Sequence, residues 1–285
     1  MKARKTIFDL ERRCDLLTEY EQIVTDLRNT YIQNANMIFT LGLCIRTWPH
    51  RQGAISIDSY ANSHGFSALD DTSEVDALYS LELLLNLLHW APTNEKLSAG
   101  PFDVNFGEAS QLEKECTRCI ENIEYFLTHI NMRVREKNVA PFPQYAISKR
   151  DAQVDAVIEA VPDLSEALLS YLDIRNQNDM GVKEAVLKAI ADYLEDRHRE
   201  NYYKGTMYAG LERDIFTVFN NVDIRHSGQK QWKLRKPERM KLYDQTFKAA
   251  VHLLQMEDVK SFNVTVSDLK KKQAKADETK GNTMN

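Results

Sequence analysis

Turn-forming residues are scarce in this sequence, with 10 glycines and 7 prolines among 285 residues. The long stretches between them carry apolar side chains at spacings of three and four, the helical period, which predicts an all-α fold. Long hydrophobic runs are missing as well. The opening MKARKTIFDLERRCDLL is broken by a charge after every one or two apolar residues. No continuous apolar core of the kind a signal peptide or membrane span needs occurs there or later, so no membrane association is predicted and the expected location is cytoplasmic. Cysteine is limited to Cys14, Cys44, Cys116 and Cys119, read as free thiols because the cytosol keeps thiols reduced. Cys116 and Cys119 form a C-x-x-C inside a helical pattern, with no second pair to complete a tetrahedral zinc site, so plain burial is expected. A P-loop, a dinucleotide fingerprint and an H-E-x-x-H are all absent, and neither cofactor nor metal is expected.

The net charge of −5 gives the whole chain no general attraction for nucleic acid. That average hides a local reversal. From Arg225 to Lys241, seven cations (Arg225, Lys230, Lys233, Arg235, Lys236, Arg239 and Lys241) face one acid, Glu238. The segment carries +6 and the remainder −11.

Along the chain, Ile7, Leu10, Cys14, Leu17, Val24, Leu27, Tyr31, Ile38 and Leu41 predict one helix running to Gly42 as its stop. A turn-rich loop follows, with a short strand expected at ISIDSY. Asp71 and Glu74 have capping-box spacing at the head of the apolar VDALYSLELLLNLLHW helix, which stops before Pro92. The next helix places Leu112, Cys116, Cys119, Ile123, Phe126, Ile130 and Val134 on one face. NVAPFPQYAISKR, with Pro141 and Pro143, is read as the linker between an N-terminal helical domain (1–140) and a C-terminal helical domain (151–258). In the second domain a helix is expected around Val154 to Ala160, another begun by an Asp163–Glu166 box, and another carrying Val182, Val186, Ile190 and Tyr193. The last two carry Leu211, Ile215, Val218 and Phe219, and, opening at Pro237, Tyr243, Phe247, Val251 and Leu254. The tail 259–285 lacks apolar periodicity and is expected to be disordered.

The polar stretch after the penultimate helix, FNNVDIRHSG, and the amphipathic helix beyond it resemble the C-terminal part of bacterial abortive-infection proteins and, more distantly, HEPN domains. The resemblance covers roughly residues 150–256 and is most specific over Phe219 to Gly228. It implies a four- to five-helix HEPN-like bundle, a phage-defence setting and, in active HEPN members, metal-independent RNA cleavage at a dimer interface. Those members carry an arginine several residues upstream of a histidine. Here the corresponding positions before His226 are Phe219, Asn220 and Asn221, and the arginine stands next door at 225.

The residue chemistry stands beside that likeness. Metal-free RNA cleavage needs a base for the 2′-hydroxyl, an acid for the leaving oxygen and positive charge on the phosphate. His226 and Arg225 are the candidate catalytic pair, since imidazole titrates near neutrality and guanidinium grips phosphate with two parallel hydrogen bonds. One histidine is not acid and base at once, so a homodimer contributing two copies is the expected completion. Asn220, Asn221 and Asp223 are placed to orient the imidazole. Asn221, Lys230, Trp232, Lys233, Arg235 and Lys236 are the candidate RNA-binding residues, with Trp232 offering an indole for base stacking. Arg46, Trp48, His50 and Arg51 form a second basic-aromatic cluster, and Arg197, His198 and Arg199 fit a helix end.

The same residues also fit a solvated polar loop, because asparagine favours helix C-termini and Ser227-Gly228 favours a turn. In a non-catalytic adaptor, the long N-terminal helix and the leucine-rich helix would recognise a protein partner while the C-terminal bundle dimerises. Small-molecule binding between the domains has no residue pattern behind it.

Overall fold

A computed structural model describes residues 15–32, 35–69, 73–93, 109–222, 224 and 232–256, and these are predominantly helical. The chain divides into two compact units, Met1–Arg150 and Asp151–Asn285. The expected tail, 259–285, lies outside the described residues.

In the first unit, α1 (Leu16–Asn29) buries Tyr20, Val24 and Leu27. The single long helix to Gly42 is not formed. Thr30 is extended, its N–H and hydroxyl both donating to Asp26 O, and a minimal ladder of β1 (Tyr31–Ile32) with β2 (Ala35–Asn36) follows. Asn36 then caps α2 (Met37–Cys44) by accepting from Phe39 N at 2.8 Å. Asparagine caps a helix start better than it extends a helix interior, and the YIQNAN sequence supplies two. Gly42 sits inside α2 rather than ending it. The expected strand at ISIDSY is instead α3 (Ile57–Ser63), opened by a Ser56–Ser59 capping box with bonds of 3.1 and 3.0 Å.

Helix α4 (Glu74–Trp90) starts at Ser73, whose hydroxyl accepts from Asp76 N, so Glu74 is helical from the outset; Asp71 lies outside the described residues. Its residues Ala77, Leu78 and Ser80–Leu88 are buried. It is therefore the centre of this unit, not a free surface for a partner, and that removes the leucine-rich helix from the adaptor interface. A 3-10 turn, Ala91–Thr93, follows it.

Helix α5 (Ala109–His129) buries Leu112, Cys116, Cys119, Ile123 and Phe126 as expected, but Val134 is not on it. Asn131 takes a left-handed conformation (φ 59°), which ends the helix. The chain then enters an antiparallel hairpin, β3 (Met132–Lys137) with β4 (Gln144–Lys149), in which Val134 faces Ile147. The two prolines thus occupy the hairpin's connection, and the second half of the expected linker is a strand of the first unit.

Two side chains of α4 fasten that hairpin. Asn86 accepts from Tyr145 N (2.9 Å) and donates to Tyr145 O (2.7 Å), and Glu82 accepts from Ile147 N (2.9 Å). Positions four apart on a helix thereby serve backbone positions two apart on a strand.

The second unit comprises α6 (Ala152–Ala160), a 3-10 turn (Pro162–Leu164), α7 (Ser165–Leu172), a 3-10 turn (Ile174–Asn176), α8 (Met180–Arg199), α9 (Ala209–Asn221) and a helix over 236–256, α10. Asp151 and Asp179 cap α6 and α8. The expected Asp163–Glu166 box does not form, because Asp163 is in the 3-10 turn and α7 has no side-chain cap. One core joins the helices, including Val154, Leu168, Leu187, Ile190, Phe219 and Phe247.

Candidate nucleic-acid interface

The corner between α9 and α10 holds the described part of the predicted site. Asn221 closes α9, its side-chain amide donating to Thr217 O at 2.7 Å and its carbonyl accepting from Trp232 N at 2.9 Å. Residue 221 and residue 232 are therefore pinned together, and the chain between them leaves and returns at one point. Val222 and Ile224 beside this pin are buried in the core. Arg225, His226 and Lys230, with Asp223, Ser227 and Gly228, lie outside the described residues.

Beyond the pin, Trp232 is 40% exposed, and Lys233 and Lys236 are exposed. Leu234 packs against the core between them, which holds the segment down while its neighbours point outward. Arg235 is committed elsewhere: its guanidinium pairs with Glu238 at 2.7 Å, and its backbone N–H donates to the same carboxylate at 2.9 Å. This pairing caps the start of α10 and pulls the Glu238 carboxyl below its usual range. Of the predicted RNA-binding residues, the structure brings Asn221 into contact with Trp232, leaves Lys233 and Lys236 presented, and ties Arg235 into a local cap.

A deeper polar cluster was not foreseen. Asp244 on α10 accepts from the Tyr171 hydroxyl at 2.8 Å and pairs with the Lys183 ammonium at 2.5 Å. The Tyr171 ring stacks on Phe247 with centroids 3.8 Å apart. Burial, then the Asp244 carboxylate, push the Tyr171 phenol up, and burial pushes Tyr243 up to about 12. Both phenols stay protonated, so this is a clamp joining α7, α8 and α10 rather than a nucleophile. The signal was present in the sequence: Lys183 precedes Leu187 by four residues on the buried stripe of α8.

The remaining candidates resolve into structural roles. Trp48 is buried beside Tyr60, and a bond of 2.6 Å joins His50 Nε2 to the carbonyl of Phe142, so half of the second basic-aromatic cluster faces inward. Arg197 hydrogen-bonds Tyr193 and lies over its ring, Arg199 pairs with Glu195, and His198 contacts Glu212 at 2.9 Å while stacking on Phe216. His89 stacks face to face on Tyr145 at 3.6 Å, and burial lowers its pKa to about 4. Cys44, Cys116 and Cys119 are buried free thiols; burial pushes Cys44 up to about 12 and Cys119 to about 11. The C-x-x-C is thus a packing feature, unreactive at neutral pH.

The first unit also has an open groove of about 920 Å³ between α1 and α5, lined by Glu19, Asp26, Arg118, Asn122, Tyr125 and other residues. Arg118 spans one end, reaching Asp26 (3.0 Å), Thr30 (2.8 Å) and Glu115 (2.9 Å). No described helix is long and apolar enough to cross a membrane. Compared with family models, curated proteins and solved structures, the chain matches none.

Proposed function

We propose that the second unit binds single-stranded RNA at the α9–α10 corner, in a protein of the abortive-infection type of phage defence. The carrying observation is Trp232, 40% exposed and held by its backbone N–H donating to the Asn221 carbonyl, with the exposed Lys233 and Lys236 following it in the chain. An unpaired base stacks on the indole while the lysines meet the phosphates on either side, a combination indifferent to sequence. Within the sequence between the pinned residues, Arg225 grips the scissile phosphate, and His226 takes the 2′-hydroxyl proton; a second copy of the chain supplies the acid. Cleavage on this scheme routes no step through a metal.

The test is incubation of a 5′-labelled single-stranded RNA with the full chain in EDTA, beside His226→Ala and Trp232→Ala. Wild-type protein is expected to bind and cut, His226→Ala to bind without cutting, and Trp232→Ala to bind weakly. Cutting by His226→Ala at the wild-type rate would contradict the catalytic assignment. Failure of the wild type to bind RNA would contradict the reading as a whole.

A further inference from the structure

The groove of about 920 Å³ between α1 and α5 combines apolar surface with acidic charge. Ile23, Leu27 and Phe126 line it beside Tyr125, which is 70% exposed. A concave apolar surface of this size is a place for side chains to bury themselves. The Arg118 guanidinium in the groove is already shared between Asp26 and Glu115, a trio that keeps a net −1. Glu19 lines the same groove, and Glu21 lines a shallower cleft that adjoins it through Gln22 and Asp26. Neither pairs with a cation among the described residues, which brings the local charge to −3. An occupant should therefore be apolar and positive at once.

The chain carries such a segment at the groove's mouth. Residues 1–14, outside the described residues, hold Lys2, Arg4, Lys5, Arg12 and Arg13 against Asp9 and Glu11, a net +3, with Ile7, Phe8 and Leu10 between the two basic runs. Glu19 N–H donates to Asp15 O at 3.0 Å, so Asp15 stands one helical turn from the groove. The backbone of Asp15 is extended (φ −75°, ψ 112°), which ends the helical path of α1 there and turns the preceding chain off its axis. From Glu19 to Leu27 the helix advances about 12 Å, a distance that about four extended residues or about eight helical ones cover. Fourteen residues are thus enough to turn and lie back along the groove.

We propose that residues 1–14 occupy the α1–α5 groove of their own chain, with Ile7, Phe8 and Leu10 against its apolar surface and the flanking lysines and arginines beside Glu19 and Glu21. A short tether holds the segment at an effective concentration of about millimolar, so weak docking suffices to keep it in place. An outside basic segment then binds here only by displacing the chain's own. This contact belongs to the first unit and does not depend on the RNA reading.

The test uses the full chain carrying Cys14→Ser and Asn122→Cys, which places an exposed thiol in the groove while Cys44, Cys116 and Cys119 stay buried. Labelling by N-ethylmaleimide, followed by intact mass, should be at least about tenfold slower than after adding Ile7→Asp/Leu10→Asp, the protection expected of a segment docked about nine-tenths of the time. Glu19→Lys/Glu21→Lys should speed labelling as well. With the reporter moved to the exposed Lys188 of α8 as Lys188→Cys, none of these changes should alter the rate. A synthetic peptide of residues 1–14, added in excess to the Ile7→Asp/Leu10→Asp chain, should restore slow labelling at position 122 and so show that the groove is still folded. Equal rates with and without Ile7→Asp/Leu10→Asp, indifference to Glu19→Lys/Glu21→Lys, or no protection by the peptide would each overturn the proposal. Protection that fades on dilution of the protein would place the segment in the groove of a second copy and overturn it too.

Discussion

At the scale of residues, exposure separates the side chains available to a ligand from those that hold the fold. Trp232 belongs to the first group. Its replacement by alanine should weaken binding of an oligouridine by about 1–3 kcal/mol, the usual range for one lost stacking platform. Because the indole is half-exposed, the melting temperature should change little; an anisotropy titration and a thermal melt on the same sample check both halves. His89 belongs to the second group. Burial against Tyr145 holds its pKa near 4, below its ordinary value of 6.5. The neutral ring is then favoured by the fold, so its contribution is present above about pH 6.5 and is lost as the pH falls toward 4. Unfolding the wild type and His89→Phe in urea at pH 7 and pH 4 should show the wild type losing about 2 kcal/mol more than the variant, allowing for partial exposure. Equal losses would show that the imidazole titrates freely. Lys183 and Asp244 show how much of a site can be read at this scale: a buried lysine on an apolar stripe announces an acidic partner, but only folding brings Asp244, 61 positions later, to meet it.

At the scale of elements, the helices were legible where the apolar period and the caps agreed, as in α8 with Asp179 and the stripe of Val186 and Ile190. The failures have a common cause: a pattern compatible with a helix continued past a residue that ends it. Val134 lies four positions beyond Ile130 and extends the α5 stripe in phase, yet Asn131 turns the chain into β3. The YIQNAN sequence likewise lies between two helices whose apolar positions read as one. ISIDSY alternates as a strand does, but the Ser56–Ser59 box starts a helix there. Hairpin attachment to α4 had no local signature, since Asn86 and Glu82 look like ordinary polar positions until Tyr145 and Ile147 arrive from about 60 residues away. Asn86→Ala should therefore leave the Tyr145 N–H and C=O without their partner and destabilise the first unit by about 2–4 kcal/mol. Amide exchange at Tyr145 should accelerate strongly, while exchange in α8 and α10 stays unchanged. A Tyr145 amide as protected as in the wild type would show that the α4 fastening is dispensable.

At the scale of the whole molecule, charge is sorted along the chain. Segment 225–241 carries +6 and the hairpin 132–150 carries +4, so what lies outside them carries −15. The RNA interface proposed above lies on the more basic of these two segments, beside the exposed Trp232. The basic corner was legible in the sequence because its cations are contiguous. Its ordering was not: Arg235 and Lys236 are neighbours, yet the capping geometry of α10 commits one to Glu238 and leaves the other presented. The hairpin's positive charge escaped notice because its cations lie in what read as the end of a helix and a proline linker. The measurement that tests the central claim most directly is the salt dependence of oligouridine binding by the full chain, compared with that of Lys233→Gln/Lys236→Gln. At about 0.7 released counterions per phosphate contact on a single strand, the double variant should bind more weakly, with a log–log slope shallower by about 1.4. An unchanged slope, or no binding by the wild type at low salt, would contradict an RNA interface at the α9–α10 corner.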